Sequence, residues 1–130
     1  MAQFMAPYHT QLYAILRMVS GFTFLWHGSQ KLFGFPGGVP SGIPEFVIYV
    51  AGPLEFLGGI LLIVGFMTRP VAFLCSGLMA AAYWMAHGTQ ALLPFENGGE
   101  LSVLYCFIFL YISAAGAGIW SVDASRSGSA

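Results

Sequence analysis

The sequence predicts an all-α protein, a bundle of four transmembrane helices, and three observations carry that reading. Only 7% of its 130 residues are charged and 58% are hydrophobic, whereas a soluble domain carries roughly a quarter charged residues. Mean hydropathy is +0.79, which leaves too little polar side chain to cover a surface. Four apolar stretches approach the roughly 20 residues that a helix needs to cross a bilayer core of about 30 Å.

The first span covers 12–33 and is interrupted by Arg17, His27, Gln30 and Lys31. The N-terminus lacks the basic start and small-residue cleavage site of a signal peptide, so this segment is read as structure. GFPGGVPSGIP at 34–44 holds four glycines and three prolines and breaks the helix. The second span, 45–66, carries Glu55 at its middle, and MTRP at 67–70 makes a tight turn. The third, 70–88, opens on Pro70, whose missing N–H is harmless in a first turn. A polar loop with NGGE at 97–100 leads to the fourth span, 101–120, which has no charged residue. The tail 121–130 is small and polar and is expected to fray at its end. All of 1–130 reads as one membrane domain.

Helix association in lipid needs close backbone contact or buried polar pairs. Gly77 with Ala81 and Ala114 with Gly118 are spaced for such contact, and Gly58 and Gly59 would serve similarly. Trp26, Trp84 and Trp120 lie near span ends, where indole rings settle at headgroup depth. Arg17, Arg69 and Arg126 fall at one end and Lys31 at the other. That bias places both termini in the cytoplasm and the 34–44 and 89–100 loops outside. A net charge of −1 excludes a basic field for nucleic acid.

Ionisable groups inside a span usually face the bundle interior and find a partner. From its depth in antiparallel span one, Arg17 is the expected partner of Glu55. That pair is read either as a lock between helices or as the seat of a proton-carrying carboxyl. A second group gathers at the outer end, with His27 and Lys31 four apart on one helical face, then His87, Asn97 and Glu100. Lys and His donors suit the carbonyl oxygens of a quinone headgroup or an anion. The other reading is a Lys31–Glu100 pair that only closes the bundle. No metal-ligand spacing is present, so no metal is expected. Cys75 and Cys106 are expected about 15–20 Å apart in depth, beyond disulfide reach.

The series R-x9-HG-x-QKLFG (17–34), E-x2-GG (55–59), G-x2-TRP-x-A (65–72), MAAAYWMAHG (79–88), NGGELSVLYCF (97–107) and GAGIWSVD (116–123) resembles the DoxX family. The blocks run in order over nearly the whole chain, with Ile119 standing where the pattern has proline. The resemblance implies a four-helix protein of the bacterial inner membrane. It also implies a role as a subunit of quinone-linked sulfur oxidoreductases or a membrane partner in oxidative and thiol stress. Arg17, His27, Lys31, Glu55, Arg69, His87, Asn97, Glu100 and Asp123 hold its signature positions.

The expected function is therefore a membrane subunit of an oxidoreductase system, with a quinone or small-substrate pocket at the outer end lined by His27, Lys31, His87, Asn97 and Glu100. Its expected partners are the lipid bilayer, a redox subunit and further copies of itself. Two readings from other classes stand beside it: a non-catalytic scaffold or assembly partner, and a small-molecule or proton-coupled transporter.

Overall fold

In the computed structural model, which describes residues 3–128, the described residues are all-α, with no strand. After a 3-10 turn at Ala6–Tyr8 come α1 (His9–Phe33), α2 (Glu45–Val64), α3 (Thr68–Ala86), α4 (Pro94–Asn97), α5 (Glu100–Ala115) and α6 (Val122–Arg126). α2 is the one helix among them both long and apolar enough to cross a membrane. α1 is longer, with 25 residues, but carries more polar groups, and α5 has only 16.

Helix ends follow the local chemistry. α1 stops at Gly34, whose N–H bonds the Gln30 carbonyl. α2 stops at Gly65, in the left-handed conformation at φ 70°. A side chain at Gly65 would fail twice, because an added Cβ would lie 2.3 Å from the Ser121 Cβ.

Two differences from the sequence reading lie near the C-terminus. The helix of the fourth expected span, α5, ends at Ala115, five residues short of the expected boundary at 120, because Gly116 and Gly118 take positive φ there. The tail also forms a short helix that the sequence reading lacks, α6, while its end at 129–130, where fraying is expected, lies outside the described residues. Ser121 caps α6 by accepting the Ala124 N–H at 3.1 Å, and the Asp123 N–H bonds the Gly65 carbonyl at 2.9 Å.

α1 packs on α2 and α3 on α5, and the two pairs meet through α2 against α3 and, more lightly, α1 against α5. One core joins all four: Phe24, Leu62, Ala72, Cys75, Met79, Tyr105, Phe109 and Ile112. Phe24 meets the Phe109 ring edge-on at 4.7 Å, and Tyr105 stacks on Phe109 at 5.4 Å.

Of the small residues expected to make close helix contacts, Gly59 does so and a Cβ on Gly58 would lie 2.7 Å from Cys75 Sγ, but Gly77 and Gly118 do not. Gly77 has open space beside it, and Gly118 lies outside any helix. The α1–α2 contact is made by glycines seven apart on both helices. A Cβ on Gly21 would lie 2.7 Å from the Gly59 carbonyl oxygen, and one on Gly28 would lie 2.6 Å from that of Gly52. Those two contacts set the register of the antiparallel pair. The α3–α5 register also corrects the expected depth of the cysteines. Ser76 Oγ lies 3.6 Å from Cys106 Sγ, so Cys106 sits level with the turn that holds Cys75. Both cysteines are free.

Candidate functional site

The α1–α2 register decides which cation meets Glu55. Lys31 Nζ lies 2.7 Å from a Glu55 carboxylate oxygen, with side chains 15% and 5% exposed. Lys31 also donates to the His27 carbonyl at 3.4 Å. The expected Arg17–Glu55 pair does not form. With Gly21 on Gly59, Arg17 comes level with the end of α2 rather than its middle, and the long Lys31 chain reaches Glu55 from the other side. Pro53, inside α2, removes a backbone donor two residues before Glu55.

His27 stands beside this pair, its ring edge-on to Tyr105 at 6.0 Å. The Tyr105 hydroxyl donates to Thr23 Oγ1 at 2.7 Å, which ties α5 to α1. Glu55 is within electrostatic reach of both Tyr105 and Cys75. Lys31, Glu55, His27, Tyr105 and Thr23 thus gather among apolar walls, with Lys31–Glu55 and Tyr105–Thr23 as two separate hydrogen-bonded pairs. Tyr105 and Thr23 were missed at the sequence level, where one tyrosine among six and a lone threonine carry no spacing signal.

His87 and Asn97 come together, as their shared end of the molecule suggested, but apart from Lys31 by their bonding. His87 Nδ1 lies 3.0 Å from the Asn97 carbonyl oxygen. The buried Asn97 side chain donates to the Tyr83 hydroxyl at 3.0 Å and to the Ala91 carbonyl at 3.2 Å, and accepts the Gly99 N–H at 2.8 Å. Every one of those bonds folds the 89–100 segment, so Asn97 shapes a loop. Glu100 is exposed in the first turn of α5. The expected Lys31–Glu100 closure is replaced by Lys31–Glu55, the only ion pair among the described residues. No group of three metal-ligating side chains occurs among the described residues.

The opposite end is built by arginines on backbone carbonyls. Arg17, fully buried, donates from Nε to the Leu62 carbonyl at 3.0 Å, from Nη1 to those of Ala117 and Ile119, and from Nη2 to that of Trp120 at 2.8 Å. It therefore satisfies the last turn of α2 and the non-helical 117–120 segment together, where the negative end of the helix dipole offsets its charge. Arg69 Nη1 does the same for α5 through the Ser113 and Ala114 carbonyls. Tyr13 donates to the Gly116 carbonyl at 2.5 Å.

Asp123 closes this end. Its carboxylate accepts the N–H groups of Met67 at 3.0 Å and Thr68 at 2.9 Å, capping α3 from outside its own segment. Burial pushes the Asp123 carboxyl up, but those N–H donors and the Arg126 charge outweigh it and hold it below its ordinary value. Arg126 in turn sits over the Phe66 ring at 5.4 Å. A cleft of about 920 Å³ opens here, with Tyr13, Thr68, Arg69 and Asp123 in its walls. A second, of about 290 Å³, lies between α3 and α5 beside Tyr83 and Cys106. Neither reaches Lys31 or Glu55.

Comparison with known proteins agrees in kind. The DoxX family model matches residues 12–88. An uncharacterized protein of Haemophilus influenzae is 38% identical over 122 residues, 89% of this chain and 91% of its own. A Bacillus subtilis protein named "Putative oxidoreductase CatD" is 26% identical, covering 84% of this chain and 82% of its own. Inner membrane protein YqjF of Escherichia coli is 27% identical, with 84% and 87% covered. No solved structure matches the chain.

Proposed function

The chain belongs to the DoxX family, and from that premise we propose that it is a bacterial inner-membrane protein whose α1, α2, α3 and α5 cross the bilayer as one four-helix domain serving an oxidoreductase system. The names of the Bacillus and Escherichia relatives support the setting. The surface supports it too, since Tyr49, Leu57, Phe73 and Phe107 are each more than half exposed. Arg17 and Lys31, which lower the hydropathy of α1, both point inward. α5 reaches about 24 Å as a helix, and 116–120 carries the chain onward. The arginine-bearing end is then cytoplasmic.

The observation that carries the reading is the Lys31–Glu55 pair. A lysine and a glutamate bonded at 2.7 Å, within the one clearly membrane-competent helix and its neighbour, are costly in lipid. Here they lie within electrostatic reach of His27 and Tyr105, both titratable side chains. Our reading is that the cluster handles a proton for a redox partner subunit, which brings the electrons. The donors of His27 and Lys31 suit a quinone headgroup chemically, but neither cleft touches them.

A non-catalytic scaffold is the second reading, favoured by the way Arg17, Asn97 and Asp123 are all bound to backbone groups. The two separate on partner activity. The oxidoreductase that copurifies from native membranes in mild detergent should lose turnover in Glu55→Gln and Lys31→Met while the complex stays intact. Full turnover in both variants would leave the scaffold.

A further inference from the structure

Leu92 and Phe95 are the two most exposed large apolar side chains among the described residues, at 90% and 82%. They belong to the segment that joins α3 to α5, and Leu93 between them is more than half exposed. A cluster of bare apolar side chains marks a surface that something covers.

The interior of the same segment is polar. Asn97 is buried, and its amide bonds the Tyr83 hydroxyl, the Ala91 carbonyl and the Gly99 N–H. His87 Nδ1 lies 3.0 Å from the Asn97 carbonyl oxygen, and the N–H groups of Glu96 and Asn97 bond the Leu93 carbonyl. These bonds fix the loop from within and leave its apolar side chains outside, the reverse of a loop folded for water.

Trp84 supplies a depth. It stands in the last turn of α3 and is well exposed, and its ring meets that of Tyr83 edge-on at 5.2 Å. Tyr83 is the residue whose hydroxyl receives the Asn97 amide, so the indole and the loop are held at one end of the molecule. An indole on the outside of a membrane helix settles at headgroup level. α5, which leads away from the loop, continues the bare apolar surface through Leu101, Leu104 and Phe107. Residues 89–99 contain no lysine or arginine, which leaves apolar contact as their attraction to a lipid surface.

We propose that the 92–95 segment is an interfacial anchor. Leu92, Leu93 and Phe95 enter the boundary between headgroups and acyl chains on the membrane face opposite the arginine-bearing end. This anchor rests on the membrane setting of the proposed function and not on the Lys31–Glu55 pair. Headgroup depth keeps water within reach of backbone groups that an irregular segment leaves unpaired, which the hydrocarbon core does not.

The test attaches a nitroxide to Leu92→Cys, Phe95→Cys or Phe107→Cys in the full chain carrying Cys75→Ala and Cys106→Ala. Each protein is reconstituted in phosphatidylcholine vesicles, with and without phosphatidylglycerol. Relaxation by oxygen, which concentrates in lipid, is compared with relaxation by an aqueous nickel chelate. Labels at 92 and 95 should respond several-fold more to oxygen than to nickel in both vesicles, and the 107 label more strongly still. Nickel-dominated relaxation at either 92 or 95 overturns the anchor. Protection from both reagents overturns it in favour of a protein cover, and an oxygen preference that needs phosphatidylglycerol overturns it in favour of charge. Oxygen preference at 107 with nickel preference at 92 and 95 removes the anchor and leaves the membrane setting, whereas nickel preference at all three removes the setting itself.

Discussion

Lys31 and Glu55 meet at 2.7 Å between α1 and α2, while Arg17, two turns and more below, touches no carboxylate and binds four backbone carbonyls. Two buried cations in one helix thus have opposite tasks. One neutralises a buried acid, and the other closes a helix end.

The first prediction concerns that acid. Removing one partner of a buried pair strands the other charge, which costs about 3–5 kcal/mol, whereas replacing both by apolar side chains is often near neutral. Glu55→Gln and Lys31→Met should each lower the unfolding midpoint in detergent clearly, and the Lys31→Met/Glu55→Leu double variant should recover most of the loss. An additive double variant would show that the pair is not coupled.

Arg17 should not tolerate lysine. A lysine keeps the charge but cannot divide its donors among Leu62, Ala117, Ile119 and Trp120 as the planar fork does. Hydrogen bonds to a charged group contribute about 1.5–3 kcal/mol each, so Arg17→Lys should destabilise by at least one such increment. Proteolysis should then reach the 116–128 segment faster than in the wild type, as read by cleavage mapping.

Stability should depend on pH through Asp123. Its folded carboxyl sits below its ordinary value, so its contribution is complete above the unfolded value of about 3.9 and fades as pH falls through the folded one. Asp123→Asn should therefore be less stable than wild type near neutrality, and the two should converge in strong acid. Thermal melts at several pH values check this, and a gap that persists at the acid end would contradict it.

The glycine seam predicts a contrast between positions. Gly28→Ala would place a Cβ 2.3 Å from the Phe56 backbone nitrogen, so α1 and α2 must separate. Overpacking of this kind costs about 1–3 kcal/mol. Gly77→Ala meets open space and should be neutral or stabilising by up to about 1 kcal/mol. Unfolding of the two variants side by side in detergent tests the difference.

Most of the helices were legible because their signals are local. Glu45 begins α2 and Phe33 ends α1 as read, since a Pro/Gly-rich segment cannot continue a helix. The partner of Glu55 was not legible from span depth. Depth estimates assume that both helices start level, and a shift of one turn exchanges Arg17 for Lys31. The paired spacing Gly21/Gly28 and Gly52/Gly59 was the signal that would have set the register. Asp123 was hidden for another reason: its role as a cap is made by a residue more than fifty positions from the helix it caps.

Composition and hydropathy by themselves determined an all-α chain of apolar helices, and the ordered motifs determined the family, because these depend on residue type and near neighbours alone. Only tertiary structure decided that Lys31 and not Arg17 holds Glu55, that Cys106 lies level with Ser76, and that the 920 Å³ cleft opens at the arginine-bearing end. The reason is geometric. A glycine lets two helices approach until backbone meets backbone, and that contact sets a register that no count of residues along one span contains.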